Sequence, residues 1–514
     1  MNKYKILWVD DEIQLLKPHI LFLEQKNYEV TTAQSGIEAL DELKDKHFDI
    51  IFLDEQMPGI DGLETLMRIK SLKPDVPVVM ITKSEEENIM EEAIGRQITD
   101  YIIKPVNPHQ ILLSLKKILK QKTLVSQKTN LSYQQEFQRI SMDISMISTP
   151  DEWIDLYKKL IQWELKLDNL QENPMQEILF GQMQEANRAF FKFIKKNYED
   201  WFENPDEAPL LSYRLMKEKV FPAIENSTLL LVIDNLRYDQ WLVIAPMIQN
   251  YYRVVSEDLY YSILPTATQY ARNSIFGGMM PSDLKKHYPQ WWRDDTDEGG
   301  KNLFEKDFLK ALIERYRLPI KSNYIKILNY QFGQKIIQQF ADLKNYDLNV
   351  IVYNFVDMLS HAKTEMDLIK ELASNDKAYR SLTKSWFENS PLFEIIKLAA
   401  QNKMKLLITT DHGTINVKHP TKVIGTKETS LNLRYKTGRS LTYDKKDVYA
   451  VDKPEKIKLP SVAINSQFIF AKEDYFFVYP NNYNSYVEHF ENTYQHGGVS
   501  LQEMLIPFIE LNPR

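Results

Sequence analysis

Apolar runs of strand length recur along this sequence and stop abruptly on a polar, chemically active residue. "YKILWVD" closes on Asp10, "DIIFLD" on Asp54 and "VPVVMIT" on Thr82, while "DYIIKP" carries Lys104 at its end. Far downstream, "STLLLVID", "NVIVYNFVD" and "KLLITTD" close on Asp234, Asp357 and Asp411. A buried carboxylate without a partner is costly, so each such strand delivers its charge to a surface turn or to an ion. Short β-rich runs separated by helical patterns predict parallel sheets covered on both faces. In such sheets the carboxyl ends of the strands share one edge, so residues distant in sequence meet there. The fold class expected is α/β.

A chain of 514 residues is too long for one core. Residues 1–121, with the further run "YEVTTA", predict a (βα)5 domain. Residues 122–205 lack strand-like runs and predict a central helical bundle that connects the other two parts. In "STPDEWIDLYKKLIQWELKL", Thr149 caps a helix, Pro150 sits in its first turn and Glu152 completes a capping box. Trp153, Leu156, Tyr157, Leu160 and Ile161 then form an apolar stripe. Residues 206–514 predict a larger α/β domain. There is no cysteine, which excludes disulfides and thiolate zinc sites. A net charge of -7 gives no basic field for duplex DNA. The chain shows neither a signal-peptide core nor a stretch of the ~20 apolar residues that a membrane helix needs, so a cytoplasmic protein without membrane insertion is expected.

The first cluster joins Asp10, Asp11 and Asp54 with Thr82 and Lys104. Three carboxylates repel one another unless a cation sits among them, and oxygen-only ligands favour Mg2+. Lys104 and Thr82 are suited to bind a tetrahedral oxyanion carried by Asp54. The pattern "VDDE…FLDEQMPGIDG…MITKS…YIIKP" resembles a response-regulator receiver domain over about 120 residues. That resemblance implies Asp54 as phosphoacceptor, and Asp11, assisted by Asp10, as the main ligand of one Mg2+. The carbonyl of Gln56 completes the protein ligands, and Thr82 and Tyr101 form the switch pair. It also implies a sensor histidine kinase as partner.

The second cluster adds imidazoles. His412 follows Asp411, His361 lies four residues after Asp357, and His496 precedes two glycines in "YQHGGVSLQE". Three Asp and three His are enough for two metal ions, and mixed N/O ligation suits Zn2+, with Mn2+ as alternative. In "YSILPTATQYARNSIFGG", Thr266 and Thr268 precede a helix start. A metal-bound threonine hydroxyl can attack phosphorus. Arg272, one turn beyond Thr268, is placed to reach phosphate oxygens. This set resembles the PglZ domain of the alkaline phosphatase superfamily over residues 206–514. The resemblance implies one zinc held by Asp234, Asp411, His412 and the nucleophile, and another by Asp357, His361 and His496. Thr268 is preferred as nucleophile, with Thr266 open. Neither the serine nor the third, Mg2+ site of alkaline phosphatases proper can be placed here, which favours diester over monoester chemistry.

The order receiver, helical bundle, PglZ resembles a family of response regulators linked to type IX secretion. It implies a zinc-dependent phosphodiesterase on nucleotide or short oligonucleotide substrates, switched by phosphorylation of Asp54 through a homodimer. The alternative is a zinc-binding adaptor whose output is docking to a transcription factor, such as a sigma factor, or to a secretion component. Direct promoter binding ranks third, since no helix-turn-helix follows the receiver. Trp291 and Trp292 are read either as stacking on a base or as packing, and the basic stretch 433–446 either as a phosphate contact or as a solvated hairpin. His19, His47, His109, His287, His419 and His489 are read as ordinary surface or core residues.

Overall fold

In a computed structural model, the description covers residues 3–514 except 84–97, 169–173, 226, 355, 358, 360–363, 365, 374, 427–428 and 462–464. The chain divides into two compact units, residues 1–132 and 133–514.

The first unit is a five-stranded sheet of β1 (Tyr4–Val9), β2 (Tyr28–Ala33), β3 (Ile50–Asp54), β4 (Val78–Thr82) and β5 (Asp100–Ile103). The strand order is β2-β1-β3-β4-β5 and every pairing is parallel. Side chains of successive residues leave opposite faces. Leu7, Val9, Ile51 and Leu53 pack under one layer, and Ile6, Trp8, Ile50 and Phe52 under the other, which is why the strands read as unbroken apolar runs. Its helices include α1 (Lys17–Gln25), α2 (Gly36–Asp45) and α3 (Gly62–Leu72), and the long α4 (Pro108–Met146) begins in this unit and ends in the second. The chain crosses from β1 to neighbours on both sides, so the crevice at its carboxyl end lies at a topological switch point.

The second unit is built on β6 (Thr228–Ile233), β7 (Tyr252–Tyr261), β8 (Ser322–Ile327), β9 (Leu348–Tyr353), β10 (Lys405–Thr409) and β11 (Leu505–Pro513). The order is β7-β11-β10-β6-β9-β8. Strands β10, β6, β9 and β8 are parallel, and β11 runs antiparallel to both β10 and β7. Again one strand, β6, has later strands on both sides. Its carboxyl end and that of β10 define the switch point, with Thr409 opposite Val232. The helices that bear on the site are α5 (Pro150–Asp168), α6 (Pro174–Asn197), α7 (Tyr238–Gln249), α8 (Thr268–Gly277), α9 (Glu305–Arg315) and α10 (Asp376–Glu388).

Helix α5 starts as its sequence predicts. Glu152 accepts from the Thr149 N–H at 3.0 Å, and Thr149 Oγ1 accepts from the Glu152 N–H at 3.4 Å. Its stripe of Trp153, Leu156, Tyr157, Leu160 and Ile161 is buried in the same core as β6, β9 and β10. The helical segment therefore shares one hydrophobic core with the large sheet. No helix among the described residues is long and apolar enough to cross a membrane.

Candidate functional site

In the first unit the strand ends bring Asp10, Asp11 and Asp54 together, with ligand oxygens within 4.8 Å of one another. Asp10 and Asp54 are buried and Asp11 is exposed. Lys104 Nζ bridges them, 3.1 Å from Asp10 Oδ2 and 3.0 Å from Asp54 Oδ1. Burial pushes the Asp54 carboxyl up to about 6, against the pull of Lys104, and the other two carboxylates add to the rise. An added cation would reverse that balance, so the donor set fits an oxygen-liganded ion such as Mg2+. Thr82 is buried and its hydroxyl donates to the Glu55 carboxylate. Tyr101 is 43% exposed. Gln56 is exposed beside the cluster, with Glu55 and Met57 buried around it.

In the second unit Asp234 follows β6, and Asp411 and His412 follow β10 after Thr410. Their ligand atoms also lie within 4.8 Å, and all three residues are buried. Thr268 opens helix α8, and its Oγ1 lies 3.0 Å from His412 Nε2 and 3.4 Å from Asp234 Oδ1. The hydroxyl thus joins the acid cluster at a helix N-terminus, where backbone N–H groups and the helix dipole favour an anion. His412 holds its Nδ1 3.0 Å from the Gly413 carbonyl, and His496 holds its Nδ1 3.1 Å from the Thr266 carbonyl. Each ring therefore turns Nε2 to the site, the arrangement a metal-binding imidazole needs. The two rings stack with centroids 4.2 Å apart, and His496 Nε2 stands 3.8 Å from Asp357 Oδ1. His361 lies outside the described residues.

Electrostatics separate the two buried aspartates. Burial opposes the charge of Asp234, yet the Arg272 guanidinium and the neighbouring imidazoles hold its carboxyl below the ordinary value. Burial, reinforced by Asp234, pushes Asp411 up to about 8. Burial lowers His412, which favours the neutral ligand form. Asp411 Oδ2 is buried and accepts no hydrogen bond. An unsatisfied carboxylate oxygen beside neutral imidazole and a threonine hydroxyl is a donor set that a divalent ion such as Zn2+ would complete.

Two side chains sit differently from their sequence reading. Arg272 is 1% exposed. Its Nη1 lies 2.6 Å from Asp234 Oδ2 and 3.6 Å from Asp411 Oδ2, and its Nε donates to Glu305 Oε1 at 2.5 Å. Its donors are turned to protein carboxylates, so it braces Asp234 from behind instead of reaching for phosphate oxygens. Thr266 is fully buried, with its hydroxyl donating to the Gly498 carbonyl at 3.0 Å and accepting from the Gly497 N–H at 2.9 Å. That hydroxyl ties two loops together and is not presented to the ligand cluster.

The stretch 433–446 also departs from a phosphate-contacting loop. Arg434 and Lys436 are buried, with Arg434 paired to Glu503 and Lys436 donating to the Ser430 carbonyl and the Tyr479 hydroxyl. Trp291 stacks on Tyr288 and Trp292 packs edge-on to Tyr270, so both serve packing.

Glu305 and Glu503 escaped the sequence reading. Glu305 Oε2 is held by the Tyr324 hydroxyl and by Lys326, completing the charge array behind Asp234. Glu503 accepts from the Gly498 N–H at 2.8 Å and pairs with Arg434, which fixes the loop that carries His496. A signal for Glu503 exists in "SLQE", a capping-box spacing: Ser500 Oγ accepts from the Glu503 N–H at 3.2 Å and donates to the Glu503 carboxylate at 2.6 Å. The two glycines on either side have steric reasons. Gly497 has φ of +121°, and a Cβ on Gly413 would fall 1.9 Å from the Gln502 carbonyl oxygen.

Residues 215–511, more than half of the chain, match the family model of the BREX system PglZ alkaline phosphatase-like domain. The chain belongs to the PglZ family. Ahead of the PglZ domain, residues 123–202 match the PorX response regulator linker domain and residues 6–116 the response regulator receiver domain. The three together form a PorX-like architecture.

The chain is similar to the transcriptional regulatory protein ResD of Bacillus subtilis, 31% identical over 169 residues, covering 30% of this chain and 70% of ResD. It is likewise similar to the alkaline phosphatase synthesis transcriptional regulatory protein PhoP of Bacillus subtilis, 32% identical over 168 residues, covering 32% of this chain and 68% of PhoP. Among solved structures, a CheY-like receiver domain of Methanospirillum hungatei is 29% identical and covers 24% of this chain and 98% of its own, with a TM-score of 0.23. Receiver and PglZ domain in one chain make a two-component regulator with an output domain of the alkaline phosphatase superfamily.

Proposed function

We propose that the output domain is a zinc-dependent phosphodiesterase acting on nucleotide or short oligonucleotide substrates, switched by phosphorylation of Asp54. The observation that carries this reading is the position of Thr268. Its hydroxyl meets His412 Nε2 and Asp234 Oδ1 at a helix start, beside a buried Asp411 oxygen that lacks a hydrogen bond. Asp234, Asp411 and His412 with Thr268 would hold one zinc, and Asp357, His361 and His496 the other. When bound, the ions would lower the pKa of the threonine hydroxyl and offset the charge of the phosphate group.

Thr268 Oγ1, giving up its proton, attacks the diester phosphorus in line and the bond to one alcohol breaks; that alcohol leaves protonated, and water then hydrolyses the threonine-linked diester, releasing the phosphomonoester and restoring the hydroxyl. N–H groups of the first turn of α8 face the phosphate oxygens. Arg272, locked between Asp234 and Glu305, keeps Asp234 ionised and fixes which of its oxygens meets Thr268. His412 and His496 are held in the right tautomer by the carbonyls of Gly413 and Thr266.

In the receiver, Asp10, Asp11, Asp54 and the Gln56 carbonyl would hold Mg2+, and a sensor histidine kinase donates the phosphoryl group to Asp54. Thr82, Tyr101 and Lys104 then respond, promoting a homodimer. The reading extends to a cytoplasmic role in controlling type IX secretion, which the resemblance of the receiver, helical and PglZ order implies. The test is release of p-nitrophenol from bis(p-nitrophenyl) phosphate by zinc-loaded protein. Thr268→Ala should lower the rate about a thousandfold or more. Equal rates in the two proteins, or none in either, would favour an adaptor that binds zinc and docks a sigma factor or secretion component.

A further inference from the structure

Helix α6 buries an apolar stripe of Leu179, Met183, Ala186, Phe190 and Ile194 against the core of the large sheet. Two buried polar side chains on this helix, Gln182 and Asn187, interrupt its apolar pattern, and Asn187 is the one bonded to the site loops. Asn187 is 4% exposed, and a buried amide must find partners. It finds them on the loop that carries His496. The Leu501 N–H donates to Asn187 Oδ1 at 2.8 Å, and Asn187 Nδ2 donates to Gln502 Oε1 at 3.0 Å. The next residue of that loop is Glu503, whose carboxylate holds the Gly498 N–H and whose carbonyl accepts from the Gly413 N–H at 3.1 Å, next to His412.

Just past the end of α6, Tyr198 is fully buried among Trp201, Phe202 and Tyr449. Its oxygen accepts from the Leu264 N–H at 2.8 Å, two residues before Thr266 and four before Thr268. One helix and the residue after it thus grip both loops that build the site. The loops also meet each other through Thr266, whose hydroxyl bonds Gly497 and Gly498 and whose carbonyl faces His496 Nδ1.

We propose that Asn187 and Tyr198 are positioning residues for the second site, fixing the spacing between the Leu264–Thr268 and His496–Glu503 loops. The helical segment is then part of the catalytic unit and not a spacer ahead of it. Any displacement of α6 is felt at the nucleophile and at a metal-binding imidazole together. This inference rests on the phosphodiesterase reading, and its test separates the two.

The full chain, zinc-loaded, is assayed on bis(p-nitrophenyl) phosphate as wild type, Tyr198→Phe, Asn187→Ala and the control Lys158→Ala. Lys158 also ties the helical segment to the sheet, donating to the Glu257 carbonyl at 2.8 Å, but far along β7 from the loops. Tyr198→Phe keeps the ring and removes one oxygen. Tyr198→Phe and Asn187→Ala should lower kcat about tenfold to a hundredfold with KM within about twofold. They should also alter the visible absorption spectrum of the cobalt-substituted protein, while Lys158→Ala changes neither. Variants with wild-type kcat and an unchanged cobalt spectrum, or a control that loses as much, would overturn the proposal. A wild type without hydrolysis would instead fail the phosphodiesterase reading. The cobalt spectra would then decide the positioning role alone, an unchanged spectrum in both variants refuting it.

Discussion

The two acid clusters of this chain obey one rule and end in different chemistry. Each stands at the carboxyl edge of a parallel sheet, at the strand from which the chain departs to both sides. In the receiver the cluster is shallow. Asp11 is exposed, the cation among the carboxylates is a lysine on a flexible stem, and every other donor is oxygen. In the PglZ domain the cluster is deeper, with Thr268 and His496 half-buried beside it. Asp234, Asp411 and His412 are at most 1% exposed, a guanidinium is locked behind them, and two imidazoles turn Nε2 inward. Depth decides the difference. A shallow oxygen-lined site suits an ion and a phosphoryl group that come and go, whereas a deeper set of N and O donors would suit a borderline-soft metal.

The sharpest break of this comparison is removal of one carboxylate from each cluster. Asp411→Asn should cost about a thousandfold or more in diester hydrolysis, read as p-nitrophenol release, and deplete bound zinc. Asp54→Ala should abolish the acetyl phosphate-dependent shift toward dimer on gel filtration while leaving zinc content unchanged.

Next in size is loss of the internal cation. Arg272→Gln leaves Asp234 and Glu305 buried without their partner, so thermal or denaturant unfolding should reveal a loss of about 3–5 kcal/mol. Zinc affinity should fall about tenfold to a hundredfold. The counterpart, Lys104→Gln, should cost less, because Lys104 is 15% exposed where Arg272 is 1% exposed.

A third test is pH. The folded Asp54 carboxyl is raised to about 6, above its unfolded value near 4, so the folded receiver binds the extra proton in that window. Metal-free protein should therefore lose receiver stability as pH rises from about 4 to about 6, with no further change from Asp54 above that. Saturating Mg2+ should remove the dependence. The smallest effect belongs to Gln56→Ala. If its backbone carbonyl is the ligand, phosphoryl uptake should stay within about twofold of wild type.

Much of this was readable beforehand, for a physical reason. Strand-terminal Asp10, Asp54, Asp234 and Asp411 are marked by the apolar runs they end, and the sheet edge brings them together whatever lies between. The capping box of Thr149 and Glu152 is local, so it too is legible. Burial is not. Arg272 stands one turn from Thr268 and reads as a substrate ligand, yet the core closes over it and Glu305, at the start of α9, takes its Nε. Thr266 and Thr268 are alike in sequence, and only the bonds from Gly497 and Gly498 separate a loop tie from a presented hydroxyl. Asn187 lies on α6 and Tyr198 just past its end, among residues that read as packing, and nothing local reveals which loops that packing holds.

The most direct measurement is zinc content, by mass spectrometry of the full chain after dialysis, beside Asp234→Asn and His412→Ala. About two zinc equivalents per chain in wild type, and fewer in both variants, is the predicted result. A dialysed wild type without zinc, or variants that retain as much as wild type, would contradict a metal centre at the ends of β6 and β10.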